Sequence, residues 1–189
     1  MIAKVIAGVE SGFYQYAMRF EEKLYLKYTK NTAPLEMAVQ KIKNIHFCSR
    51  NTAIMIACTS WGLYQILGMN IYSVCNISKH IVEFLQDVDL QEKAFINFCQ
   101  ARKISITKTE EELKQVASVF QNIKTESKNY AEALEKFSQH LMDKKTLYPN
   151  LITFIRRYNG ASFGSDAFLD YLLRMLHYYN EIKKEEVIG

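Results

Sequence analysis

The sequence predicts a mainly α-helical fold with at most one small β-hairpin near the N-terminus. Two patterns carry this expectation. Apolar residues recur every three or four positions through most of the chain beyond residue 80, and a two-residue alternation occurs in one stretch only. The length of 189 residues allows a buried core without disulfide staples and is short for two well-grown cores, so one domain over 1–189 is expected.

Taken in chain order, Met1 to Val9 reads as a short apolar helix ending at Glu10. From Tyr14 to Phe20, the apolar Tyr14, Tyr16, Met18 and Phe20 alternate with Gln15, Ala17 and Arg19. That is the period of a strand, and it puts the hairpin between about Tyr14 and Tyr28. Asn51 to Ser78 holds no charged side chain and is long enough to span a bilayer. Thr59, Ser60, Gln65, Asn70, Ser73 and Asn76 interrupt it with polar groups, and Gly62 and Gly68 break it, so no stable membrane insertion is expected.

Further along, Ile81, Phe84, Leu85 and Val88 form one helical stripe, and Phe95 and Phe98 extend an apolar face. Leu113, Val116, Ala117, Phe120 and Ile123 form another stripe, and Tyr130, Leu134, Phe137 and Leu141 a third. Pro149 favours a new helix start, with Leu151, Ile152, Ile155 and Tyr158 on its apolar side, and Asn159-Gly160 stops that helix. Ser165 suits the N-cap of the last helix, whose Phe168, Leu169, Leu172, Leu173 and Leu176 face inward.

Composition narrows the function classes. A net charge of +4, spread along the chain without a basic stripe interleaved with aromatics, does not indicate a nucleic-acid partner. Cys48, Cys58, Cys75 and Cys99 show no CxxC pairing and read as reduced thiols. His46, His80, His140 and His177 stand alone, so neither a metal nor another cofactor is expected. The stretch Val5 to Val9 is too short for a signal-peptide core, which implies synthesis in the cytoplasm.

Six of the seven glycines fall as pairs in three short segments: Gly8 and Gly12, Gly62 and Gly68, Gly160 and Gly164. In a helical protein such clustering marks sharp turns or close approaches. The segments read Val9-Glu10-Ser11-Gly12, then Ser60-Trp61-Gly62-Leu63-Tyr64-Gln65-Ile66-Leu67-Gly68, then Phe154-Ile155-Arg156-Arg157-Tyr158-Asn159-Gly160. In this order they resemble the N-acetylmuramidase family of phage endolysins and bacterial cell-wall hydrolases. More distantly, they resemble the lytic transglycosylases and goose-type lysozymes.

The resemblance spans Ala3 to about Tyr179 and includes Phe20-Glu21, similar to the Phe-Glu stretch that follows the family's catalytic glutamate. It implies a lysozyme-like helical domain, with Glu10 and Glu21 as catalytic carboxylates and Ser11, Ser60, Trp61, Tyr64, Gln65, Tyr158 and Asn159 along the substrate groove. About Ser105 to Tyr148 is longer than the resemblance calls for and reads as an inserted helical hairpin. Only nine residues precede Glu10, which suggests a short first helix or a missing upstream module. The implied substrate is the peptidoglycan glycan strand, bound by a monomer that reaches the wall through a holin or a secretion system.

The chemistry fits these residues on its own terms. Cleaving a glycosidic bond needs a carboxylic acid still protonated near neutral pH. Glu10, at the C-terminal end of a helix, meets a partial negative charge that disfavours ionisation, and burial beside Trp61 or Tyr158 acts in the same direction. Glu21, with Glu22 as its neighbour and substitute, could serve as nucleophile, transition-state stabiliser or water holder. Ser11 could bind an N-acetyl group or close the turn; Trp61 and Tyr64 could offer apolar faces to sugar rings, and Gln65 a two-sided amide. Tyr158 and Asn159 could orient Glu10 or the substrate, and Gly160 supplies a turn. Hydrolysis of the bond between N-acetylmuramic acid and N-acetylglucosamine is the leading reading. A lytic transglycosylase on that bond is the alternative, and a non-catalytic helical membrane-associated or partner-binding protein is the alternative of another class.

Overall fold

The computed structural model describes residues 1–31 and 33–188, the side chains of residues 34, 187 and 188 excepted. The chain packs as two compact units, one formed by Ile6–Ala101 and the other by Met1–Val5 with Arg102–Gly189. Helices dominate both, and the described strands all lie in the first.

The first unit holds most of helix α1 (Ile2–Ser11), then β1 (Met18–Phe20), α2 (Glu22–Lys30), α3 (Glu36–His46) and α4 (Arg50–Ala57). It continues through β2 (Thr59–Trp61), β3 (Ile66–Leu67), α5 (Gly68–Ser73), α6 (Ile81–Gln86) and α7 (Val88–Ala101). Val39, Ile42, Ala53, Ala57, Ile71, Tyr72, Phe84 and Phe95 are buried in its core, where α3 packs against α4 and α5. Ser49 caps α4 by accepting the Thr52 N–H at 3.2 Å, as a small hydroxyl residue does for the unpaired amides of a first turn.

The alternating stretch does form a strand, but its partner is distant in sequence. β1 runs antiparallel to β2, with Met18 opposite Trp61 and Phe20 opposite Thr59, and β2 turns back into β3 with Trp61 opposite Ile66. The hairpin turn therefore falls at residues 62–65, not between Tyr14 and Tyr28. Gly62 at φ +75° and Gln65 at φ +46° supply the left-handed conformations that reverse the chain. The uncharged stretch from Asn51 to Ser78 is divided among α4, the hairpin and α5, and no helix among the described residues is long and apolar enough to cross a membrane.

The periodic stripes mark the core with two exceptions at helix starts. Val88 is exposed because Asp87 accepts the Leu90 N–H at 2.9 Å and opens a new helix, which resets the buried face. Tyr130 is likewise exposed, at the first position of α9 (Tyr130–Asp143) behind the capping Asn129.

In the second unit, α8 (Ile106–Glu126) packs on α9, α10 (Pro149–Tyr158) and α11 (Asp166–Ile188). Helices α8 and α9 occupy most of the 105–148 segment. The buried Glu112 accepts the Leu151 N–H at 2.7 Å and the Asn150 side-chain amide at 2.5 Å. A carboxylate at that place satisfies orphan donors of the first turn and sits at the positive end of α10. Ser165 accepts the Phe168 N–H at 3.2 Å and caps α11.

A histidine pair makes the first unit sensitive to acid. His46 lies 4.1 Å from His80, ring to ring, and 2.7 Å from the Tyr72 hydroxyl, which itself donates to the Lys79 carbonyl. Burial, and secondarily the neighbouring His80, lower the His46 pKa from 6.5 to about 4. Above pH 6.5 the ring is neutral folded and unfolded alike. Below that value the unfolded chain takes up a proton that the folded chain resists, so stability is lost as the pH falls from about 6.5 to about 4. With partial solvent screening the loss is on the order of 1–2 kcal/mol. Urea unfolding at pH 7.5 and pH 4.5 is expected to show it in the wild type and to show less in His46→Gln; equal losses would remove His46 as the cause.

Candidate active site

The apolar Val5, Ile6 and Val9 are buried, and this anchors α1 with Glu10 half-buried near its C-terminal end. The helix closes with Gly12 donating its N–H to Gly8 at 2.9 Å and Phe13 donating to Ala7 at 3.3 Å. Gly12 and Phe13 both have positive φ, +61° and +67°, and the chain turns sharply there. The Ser11 hydroxyl donates to the Ala7 carbonyl at 2.9 Å, so Ser11 helps to finish the helix.

The loop after Glu10 is pinned to the hairpin turn. Ala17 accepts the Gly62 N–H at 2.7 Å and the Gln65 side-chain amide at 3.1 Å, and that amide also donates to Gly62 at 3.1 Å. Beneath them lies Gln91 of α7, fully buried. Its Oε1 accepts the Leu63 N–H at 2.7 Å, while its Nε2 donates to Gln15 at 3.3 Å and to Leu85 at 3.0 Å. One amide thus joins the loop after Glu10, the hairpin turn and the end of α6. A side chain on Gly62 would meet Gln91 Oε1 at 2.3 Å, so glycine is needed for space as well as for φ.

Glu21 occupies the N-cap position of α2, and its N–H donates to Cys58 at 3.0 Å. Its Oε1 accepts the Arg19 Nε at 2.8 Å and the Ser60 hydroxyl at 3.1 Å. Ser60 is 2% exposed, so it acts by holding Glu21.

Trp61 donates its indole N–H to the Ile56 carbonyl at 3.0 Å and ties β2 to α4. Tyr64 is buried and stacks on Phe95 with ring centroids 4.6 Å apart; burial and the nearby Glu92 push its hydroxyl pKa up. Its ring packs the core and supports the turn from below.

A family model of N-acetylmuramidases matches residues 17–142, most of the chain. The chain belongs to the N-acetylmuramidase family. An endolysin of Enterobacteria phage PRD1 is 32% identical over 94 residues, which cover 50% of this chain and 63% of that protein. The alignment therefore spans a little under two thirds of the relative's length. No solved structure gives a significant match.

Within this muramidase-family chain, the matched region holds Glu21, Ser60, Trp61, Tyr64 and Gln65, whereas Glu10, Ser11, Tyr158 and Asn159 lie outside it. The first unit brings Glu21 to Ser60, and Gln65 to the loop that follows Glu10 and Ser11. Tyr158 and Asn159 end α10 in the second unit. There Tyr158 stacks on Phe154 at 5.1 Å, and the Asn159 and Gly160 amides both donate to Ile155. Among the described residues no group of three or more His, Cys, Asp or Glu could hold a metal ion.

Sequence reasoning missed Gln91, which stands between Leu90 and Glu92 as one more polar helix residue. Its role arises from partners 28 and 76 positions away. Gln91→Met keeps the shape but leaves the buried Leu63 N–H without a partner, a loss of about 2–3 kcal/mol. Urea unfolding followed by Trp61 fluorescence is expected to report that loss. An unchanged midpoint would show that the amide bonds do not hold the turn.

Proposed function

We propose that this chain cleaves the bond between N-acetylmuramic acid and N-acetylglucosamine in peptidoglycan, with Glu10 as the general acid. The observation that carries the reading is the position of Glu10: half-buried at the end of a helix and next to a loop that Gln65 and Gln91 fasten to the hairpin. A helix C-terminus and partial burial both favour the neutral carboxyl that proton donation to a leaving sugar oxygen requires. Membership of the muramidase family supports the substrate. Release to the wall through a holin or a secretion system completes the proposal.

Glu21 is the second carboxylate in this scheme, held by Arg19 and Ser60 next to the hairpin. Its ion pair favours a stabilising role over a nucleophilic one, because a carboxylate that attacks must leave its guanidinium partner. The same observation favours a second reading, a lytic transglycosylase in which the substrate's own hydroxyl attacks. Ser60 positions Glu21, Ser11 closes the helix that carries Glu10, Trp61 and Tyr64 shape the hairpin, and Gln65 presents the turn to the glycan. Tyr158 and Asn159 are assigned to substrate binding, which Tyr158→Ala and Asn159→Ala test through a raised KM.

Mass spectrometry of digested peptidoglycan decides between the readings. Hydrolysis leaves a free reducing end; transglycosylation leaves an anhydro-muramoyl end lighter by one water. Intact glycan after digestion with folded protein would refute both.

A further inference from the structure

The surface from Phe13 to Lys30 exposes what a folded protein normally covers. Phe13, Tyr14, Tyr16, Met18, Phe20 and Leu26 are all exposed, Tyr14 at 61% and Met18 at 69%. Isolated exposed apolar residues need no explanation, but a contiguous patch with a polar rim marks a binding surface. Tyr14 and Tyr16 meet edge to face at 6.0 Å. Phe20 contacts Tyr25 at 5.4 Å, which joins the exposed side of β1 to α2, a helix with no buried residue. α2 is therefore held to the unit by partial contacts, and it turns lysines outward. Lys23, Lys27 and Lys30 fall at i, i+4 and i+7, one stripe of the helix, and their ammonium groups have no carboxylate partner within ion-pair distance among the described residues.

We propose that this face binds the peptidoglycan strand through residues other than the two proposed catalytic carboxylates, aromatic rings against the sugars and lysines against the acidic peptide stems. The inference rests on the proposed cleavage function for its choice of polymer. Pyranose rings present flat C–H faces and a hydroxyl rim, which suits phenol rings that combine an apolar face with a polar tip. Stem carboxylates complement the lysine stripe. The patch is also continuous in sequence with both proposed catalytic residues, starting three positions after Glu10 and passing through Glu21.

Co-sedimentation tests the proposal with Glu10→Gln protein in the cold, on three matrices: intact sacculi, sacculi whose carboxylates have been converted to methylamides with a carbodiimide, and phosphatidylglycerol vesicles. The paired change Tyr14→Ala with Tyr16→Ala is expected to weaken binding to both wall matrices roughly tenfold. The triple change Lys23→Gln, Lys27→Gln and Lys30→Gln should weaken binding to intact sacculi about as much, leave binding to the amidated sacculi unaffected, and lose its effect in ~0.5 M salt, where exposed charges are screened. All five residues are on the surface, so circular dichroism should match the parent. Wild-type binding by both variants overturns the proposal. So does strong attachment of the parent to vesicles with none to amidated sacculi, which would make the face a lipid surface. Cleavage of a short soluble glycan, measured separately with unaltered Glu10, reports on the catalytic reading, so failure of one is not mistaken for failure of the other.

Discussion

Glu10→Gln is expected to keep the fold and to clear purified peptidoglycan on the order of a hundred- to ten-thousand-fold more slowly than the wild type, the usual worth of general acid help. The amide is nearly isosteric with the carboxylic acid and still forms hydrogen bonds, but it has no acidic proton for the leaving sugar oxygen. Glu10 sits near the C-terminal end of α1, half-buried, and a helix C-terminus accepts a neutral side chain. Circular dichroism should match the wild type. A folded variant that clears the wall at the wild-type rate would show that Glu10 is not the acid. The same exchange at Glu21 separates two mechanisms. A loss as large as that of Glu10→Gln fits a two-carboxylate hydrolase, whereas a mild loss fits a single-glutamate mechanism in which Glu21 braces Arg19 and Ser60.

The helical core was legible because it rests on local spacing. Phe84, Phe95, Leu113, Phe137, Leu151 and Leu172 all belong to three-and-four-residue stripes, and all are buried. Val88 and Tyr130 broke the pattern because Asp87 and Asn129 start new helices, and a cap changes which face is inward without changing the apolar period. The hairpin was less legible: β2 has three residues and β3 two, too few for an alternation to stand out in an uncharged run. The pairing of Met18 with Trp61 is a long-range choice that no local window contains. In the candidate site, Glu10 and Glu21 are expectations from chemistry and resemblance, and the Gly62 and Gly68 spacing marked a sharp turn. Ser60 and Tyr64 were named as groove residues, yet burial turns one toward Glu21 and the other onto Phe95. Side-chain direction at a tight turn depends on backbone angles such as +75° at Gly62, which composition does not encode.

Gly68→Ala, at the first position of α5 where the hairpin ends, should be a strongly damaging single-methyl change. A Cβ at this position would lie 2.0 Å from the Ile56 carbonyl oxygen and 2.9 Å from its carbon, with the Trp61 indole nitrogen 3.1 Å away. These are backbone atoms and a hydrogen-bonded ring, and none can move aside by rotating a flexible side chain. The Ile56 carbonyl accepts the Trp61 indole N–H, so the added methyl pushes on the bond that ties β2 to α4. Overpacking of a well-packed site costs about 1–3 kcal/mol, and contact with fixed backbone belongs at or above the top of that range. For a chain of this size about 3 kcal/mol lowers the melting temperature by roughly 6–12 °C. Gly12→Ala is the control, because nothing lies within 4 Å of its Cβ position and only the left-handed φ of +61° opposes a side chain, a penalty of about 1 kcal/mol. Trp61 is the only tryptophan in the chain, so its emission reports on the affected contact. Gly68→Ala is expected to shift that emission to the red and to melt well below Gly12→Ala. If both variants melt together with unchanged emission, the close approach of Gly68 to Ile56 does not constrain the hairpin.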